Sequence, residues 1–216
     1  MKKTFFTICT AIVALAVISC GPGEARVDAM PSGERIEKAY NEVIKKAAKS
    51  KIELCELSVV FRKTRHEGSN SSASIEVTIN DPENEGSLLI YDYDFVYQKI
   101  LSINRGTLNV HTGRGGSKRV TAYDDYKYIL FDIADLPPFS KFDSMYKAAV
   151  EESGFDASTA YPIRINAEFD DKTEALAFCI RVQRAVDKSN DEDLYDVYFD
   201  KGGSITHSVL VSKMYD

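Results

Sequence analysis

The chain has no tryptophan, only three histidines and only four cysteines among its 216 residues. His66, His111 and His207 share no local motif, which leaves little room for a multi-histidine metal site or proton relay. No cysteine pair stands at metal-ligand spacing. There is no nucleophile elbow, no phosphate-binding glycine loop and no dinucleotide fingerprint. These absences predict no catalytic set, no metal and no cofactor. Positive charge is also short: 27 Lys and Arg stand against 33 Asp and Glu, a formal net charge of −6. An acidic chain repels phosphate backbones, which argues against nucleic acid as a partner. What is present, 44% hydrophobic and 28% charged residues, is the composition of a globular chain.

The N-terminus carries the clearest signal. Lys2 and Lys3 precede an uncharged apolar stretch from Phe5 to Ile18. A membrane-spanning helix needs roughly 20 apolar residues, so this stretch fits a signal-peptide core instead. It ends in Val17-Ile18-Ser19-Cys20, two aliphatic residues and a small one before cysteine. This motif resembles the lipobox of bacterial lipoproteins. The resemblance implies cleavage before Cys20, a diacylglyceryl group on its sulfur and acylation of its amine. Residues 1–19 are then a signal peptide, and the protein reaches the cell envelope anchored to a membrane through Cys20. At ~0.8 kcal/mol per buried methylene, two or three acyl chains hold permanently where one does not. In Gram-negative lipoproteins an aspartate after the cysteine tends to retain the protein at the inner membrane, so the resemblance, with Gly21 in that place, implies the outer membrane. Residues 20–32, with Pro and Gly, read as anchor and flexible tether. Cleavage removes two lysines and no acid, so the formal charge moves from −6 to −8. In an oxidising compartment Cys55 and Cys179 could bridge. Strand alternation places Cys55 with Leu57, Val59 and Phe61 and puts Cys179 on a more polar side, so two free thiols are expected.

The rest of the chain alternates helical and strand patterns. Ile36, Ala39, Tyr40, Val43, Ile44 and Ala47 predict an amphipathic helix over 33–49. Four strands follow, over 52–63, 74–80, 89–95 and 99–110. Phe142, Met145, Tyr146, Ala149 and Val150 predict a second helix, with Ser140 as cap and Gly154 as terminator. Strands around 163–169, 176–182, 195–199 and 205–209 follow it. Residues 119–135 lean towards helix, with Thr121 and Asp124 as a capping box. The offsets between halves stay near constant, which predicts an α+β fold of two helix-plus-antiparallel-sheet units, an α-β-β-β-β repeat. The units are 33–113 and 139–216, joined by a connector over 114–138, as separate bodies or as one two-lobed domain.

The closing hairpin Tyr195-Asp196-Val197-Tyr198-Phe199-Asp200-Lys201-Gly202-Gly203-Ser204-Ile205, behind a helix at 140–154, resembles the end of PepSY-type domains. The resemblance covers roughly 140–211, with an echo at 33–104 in which Tyr93-Asp94 lacks the glycine turn. Tandem sheet-and-helix units also resemble beta-lactamase-inhibitor-protein-like lipoproteins. Both resemblances imply a binding or inhibitory module without catalysis.

Other constellations have plainer readings. Ser144 and Lys147 have Ser-x-x-Lys spacing, but the companion motifs of penicillin-binding proteins are missing, so a solvated helix face is expected. Asp81, Glu83, Glu85 and Gly86 match the start of a calcium loop, yet Pro82 interrupts it and a strand begins too early. His66 and His111 read as solvated and His207 as packed. Tyr198 points away from the Tyr195, Val197 and Phe199 face, which makes it the candidate binding residue. The expectation is a non-catalytic lipoprotein that binds an envelope protein or peptide. The alternatives are an envelope hydrolase built on distant carboxylates and a carbohydrate-binding surface lipoprotein.

Overall fold

The computed structural model describes residues 6–10, 27–47, 51–64, 71–81, 83–111, 117–170, 172–184 and 193–211. Twelve elements follow one another: β1 (Phe6–Thr10), α1 (Gly33–Ala47), β2 (Leu54–Arg62), β3 (Ser72–Asn80), β4 (Ser87–Asp94), β5 (Lys99–His111), β6 (Ser117–Arg119), α2 (Phe142–Ser153), β7 (Ala160–Asp170), β8 (Ala175–Arg184), β9 (Asp193–Phe199) and β10 (Ile205–Val211). The strands form one antiparallel sheet in the order β1-β5-β4-β3-β2-β7-β8-β9-β10, with β6 paired to β5.

The sheet is continuous because β2 and β7 pair directly, from Glu56 opposite Glu168 to Val60 opposite Arg164. This overturns the expectation of two helix-plus-sheet units. The structure is a single antiparallel sheet, nine strands on one path with β6 at its side, with two short helices and one shared main core. Short hairpin turns are local and leave their mark on the sequence. The β2–β7 pairing joins strands about a hundred residues apart and leaves none.

Both helices lie on the same face. Ile36, Ala39, Tyr40, Val43 and Ala47 form the buried stripe of α1, and Glu34 and the Lys45–Lys46 pair suit its dipole. Phe142, Met145 and Ala149 do the same for α2, which Gly154 ends in the left-handed conformation. Leu57, Val59, Ile75, Val77, Ile165, Ala167, Phe178, Ile180 and Val197 receive them from the sheet. Each of these side chains except Ala167 contributes about 1.5–3 kcal/mol when fully buried. The two helices are tied at their starts. Gly33 N–H donates to Asp143 Oδ1 at 3.2 Å, and Tyr146 Oη donates to the Pro31 carbonyl at 3.0 Å. Asp143 therefore serves α1. Ser140 does not cap α2, whose first residue is preceded by Lys141 with no side-chain cap.

Three further expectations are corrected. Val27 and Met30, assigned to a flexible tether, are buried in the main core, so that part of the expected tether is packed. Residues 119–135 form separate single 3-10 turns at Tyr123–Asp125, Lys127–Ile129 and Ile133–Asp135. The capping box there is Asp132 with Asp135, not Thr121 with Asp124. A bulge between Leu54 and Glu56 turns Cys55 away from the Leu57 face. Cys55 instead joins Leu88, Leu108, Val120, Tyr126 and Ile129 in a second cluster on the opposite side of the sheet. The connector covers that end of the sheet and is locked down by buried Tyr126, whose hydroxyl accepts from Gly86 N–H and donates to Asn80 Oδ1, both at 3.1 Å.

Candidate functional site: the uncovered face of the sheet

Strand alternation that sends Leu57, Ile165, Ile180 and Val197 to the helices sends their neighbours to the other face. Beyond the connector no helix covers that face among the described residues. Cross-strand register then builds two rows across it. The first runs Asp92, Glu76, Ser58, Asn166, Cys179, Tyr198, His207 over seven adjacent strands. The second runs Val60, Arg164, Arg181, Asp196, Val209. Around Asn166, Cys179 and Arg181 the face hollows into an open concavity of about 430 Å³, also lined by Glu168, Asp196 and Tyr198.

Its electrostatics are organised. Arg181 and Asp196 form a two-pronged pair, Nε to Oδ1 at 2.6 Å and Nη2 to Oδ2 at 2.7 Å. Asp196 is 6% exposed, and its hydrogen bonds hold the Arg181 guanidinium charged. Arg164 Nη2 reaches Glu56 Oε1 at 3.9 Å, while its Nε is buried without a partner. Burial, then the charges of Glu168 and Glu76, push the Glu56 carboxyl up to about 7. Burial, followed by Asp92, also raises Glu76. Burial and then Asp196 push the Cys179 thiol up to about 12, so it is protonated at neutral pH and a poor nucleophile. Two more buried atoms lack hydrogen-bond partners: Ser58 Oγ and Asn166 Oδ1.

Tyr198, the residue singled out from the sequence, lies in the concavity wall. Its ring stacks on His207 with centroids 4.2 Å apart and planes 7° apart. His207 is thus exposed and stacked, not packed into a core. Cys20 and His66 lie outside the described residues. Cys55 and Cys179 are both free. Ser144 Oγ donates to the Lys141 carbonyl at 2.7 Å on an exposed helix face. Asp81 is spent on its own turn, accepting from Glu83 N–H at 3.2 Å and Asn84 Nδ2 at 2.9 Å. Among the described residues no group of three His, Cys, Asp or Glu side chains is placed to hold a metal ion, and no helix is long and apolar enough to cross a membrane.

Sequence reasoning missed Glu56, Ser58, Arg164, Asn166, Arg181 and Asp196. Their alternation with apolar residues was visible, but it reads equally well as an ordinary solvent face. Only the β2–β7 junction brings Glu56 and Ser58 beside Asn166 and Glu168.

No protein-family model and no curated protein matches the chain. Among solved structures it is similar to a 12:0-ACP thioesterase from Umbellularia californica, with 12% identity over 94% of this chain and 90% of that one and a TM-score of 0.33. It is also similar to an acyl-ACP thioesterase from Bacteroides thetaiotaomicron, with 9% identity over 97% of both chains and a TM-score of 0.30. Similarity this remote carries neither thioester chemistry nor acyl substrates to this chain.

Proposed function

We propose that this chain is a lipid-anchored protein of the bacterial cell envelope that binds a protein or peptide partner through the uncovered face of its sheet, without catalysis. The lipobox at Val17–Cys20 supports the location, and lipid on Cys20 supplies the anchor. The observation that carries the binding role is the seven-strand polar row, in which half-buried and buried groups stand without partners. Leaving a buried polar group unpaired costs about 1–3 kcal/mol, which a partner's hydrogen bonds would offset. In this reading β1 departs with the signal peptide, and the β5 edge from Gly106 to Val110 is uncovered.

The test is site-specific photo-crosslinking in the envelope. A benzophenone side chain at Tyr198 should capture a defined partner, and the same group at exposed Lys147 on α2 should not. Capture from Lys147 alone, or from neither site, would sink the reading. One observation favours a second reading, an envelope hydrolase: Glu56, held near neutrality, stands opposite Glu168, as an acid–base pair requires. Hydrolysis of an envelope peptide or glycan that disappears in Glu56→Gln would decide for it.

A further inference from the structure

The ladder that joins the two halves of the sheet stops early. β2 runs on to Arg62 and β7 starts at Ala160, yet their pairing ends at Val60 opposite Arg164. Beyond that point each strand keeps only its other neighbour, Arg62 opposite Ser72 of β3 and Ala160 opposite Arg184 of β8. Pro162, which has no N–H to donate, sits in the parted stretch beside a shift of register between Pro162 and Arg164. The parting opens a concavity of about 420 Å³, lined by residues 60–63 on one side and by Tyr161, Ile163 and Arg164 on the other. Phe61, 3% exposed and part of the main core, closes it towards the helices, its ring edge-on to Tyr161 at 6.2 Å.

Four cations line this concavity, Arg62, Lys63, Arg164 and Arg181, and among the described residues no acid does. In a chain of formal charge −6 that is a local reversal of sign. Two of the four are answered from outside it, Arg181 by Asp196 and Arg164 in part by Glu56 at 3.9 Å. Arg62 has no ion-pair partner among the described residues, and Lys63 lies over the Tyr161 ring at 5.0 Å. Asp92 and Asp94 share the next concavity with Arg62 but are engaged elsewhere. Asp92 accepts from Ser102 Oγ at 3.3 Å, and Asp94 accepts from the N–H groups of Val96 and Tyr97 at 2.7 and 2.9 Å. A cleft lined by one sign of charge draws the opposite sign. A guanidinium fork matches the two oxygens of a carboxylate, and an ammonium adds a point charge beside it. The parted strands also leave Phe61–Arg62 and Tyr161–Ile163 without a ladder partner across the gap. An extended segment can pair with such backbone edges, and a free anion cannot. We propose that this notch receives an extended acidic segment of the protein partner, whose carboxylates meet Arg62, Lys63 and Arg164, an inference that rests on the binding-module reading above. The concavity at Tyr198 shares Arg164 and Arg181 with this one, so the two form one continuous docking surface.

The experiment is calorimetric titration of the full chain in detergent micelles with a blocked Ala-Glu-Ala-Glu-Ala peptide, whose carboxylates project to one side when extended. It should bind, and the matching glutamine and lysine peptides should not. Arg62→Gln should weaken binding about ten-fold, the order expected for a lost charge-assisted hydrogen bond, and Lys63→Gln added to it should weaken binding further. Both residues are exposed and hold no ion pair among the described residues, so these variants keep the fold. Arg62→Glu should lose the glutamate peptide and gain the lysine peptide. Lys45→Gln with Lys46→Gln on α1 should leave affinity unchanged, which separates the notch from basic charge in general. The proposal is overturned if the glutamate peptide does not bind, if the glutamine peptide binds equally, or if the Arg62 and α1 variants behave alike. Inorganic phosphate binding more tightly than the peptide would also overturn it, because the notch would then be a site for free oxyanions. Capture of a partner from Tyr198 without glutamate-peptide binding would refute this inference and leave the binding-module reading standing. Arg62-dependent peptide binding without such capture would do the reverse.

Discussion

Gly86 is the point at which the connector is most exposed to a single change. Its φ is +68°, and a Cβ there would lie 2.1 Å from the Val120 carbonyl oxygen and 2.7 Å from Thr121 Cα. Gly86→Ala therefore adds a left-handed penalty of about 1–2 kcal/mol. It also forces the connector off the sheet at Val120, which strips packing from Leu88, Leu108 and Tyr126. Partial exposure of those side chains costs roughly 2–3 kcal/mol more. The total, about 3–5 kcal/mol, corresponds to a melting temperature lowered by roughly 10 °C in a chain of this size. Gly154→Ala is the matched control. Its φ is +67°, but nothing lies within 4 Å of the added Cβ, so it carries the conformational penalty alone. Urea and thermal unfolding of both variants, read against the parent chain, isolate the collision. If Gly86→Ala loses no more than Gly154→Ala, the connector is not seated as described.

Three further outcomes are expected. The folded-state pKa of Glu56 lies near 7, above the ordinary value of 4.5. Between those pH values the folded chain keeps a proton that the unfolded chain has lost. Stability is therefore greatest below the window and falls as pH rises through it. Glu56→Gln should gain on the order of 1–3 kcal/mol at pH 8 and little at pH 4, as measured by urea midpoints; equal effects at both would contradict the assignment. Asp196→Ala should cost about 3–5 kcal/mol, because it leaves the Arg181 guanidinium without its two-pronged partner, while Arg181→Met with Asp196→Leu should recover most of it. Cys20→Ala should abolish lipid attachment, checked by mass spectrometry of the N-terminus; an unmodified terminus elsewhere than Cys20 in the parent chain would return the lipobox to coincidence.

The sequence by itself determined what depends on neighbours within a few turns of chain. The helical stripe from Ile36 to Ala47 and the alternation at Ile163–Phe169 are periodicities that the backbone enforces locally, and both elements form. Gly154 ends its helix because a left-handed residue is needed there, and glycine takes that conformation without penalty. Tyr198 could be placed on the face away from Val197 because strand alternation has a period of two. Tertiary structure decided the rest. A sheet edge carries no sequence mark of its partner, so joining β2 to β7 turned two expected units into one sheet. That junction also set Glu56 against Glu168. Val27 and Met30 are apolar residues in a Pro- and Gly-bearing stretch, and only packing into the main cluster made them core. One extra residue between Leu54 and Glu56 reversed the side on which Cys55 is buried. The site itself was invisible for the same reason. Ser58 and Asn166 are unremarkable polar residues until pairing between distant strands buries them side by side without donors.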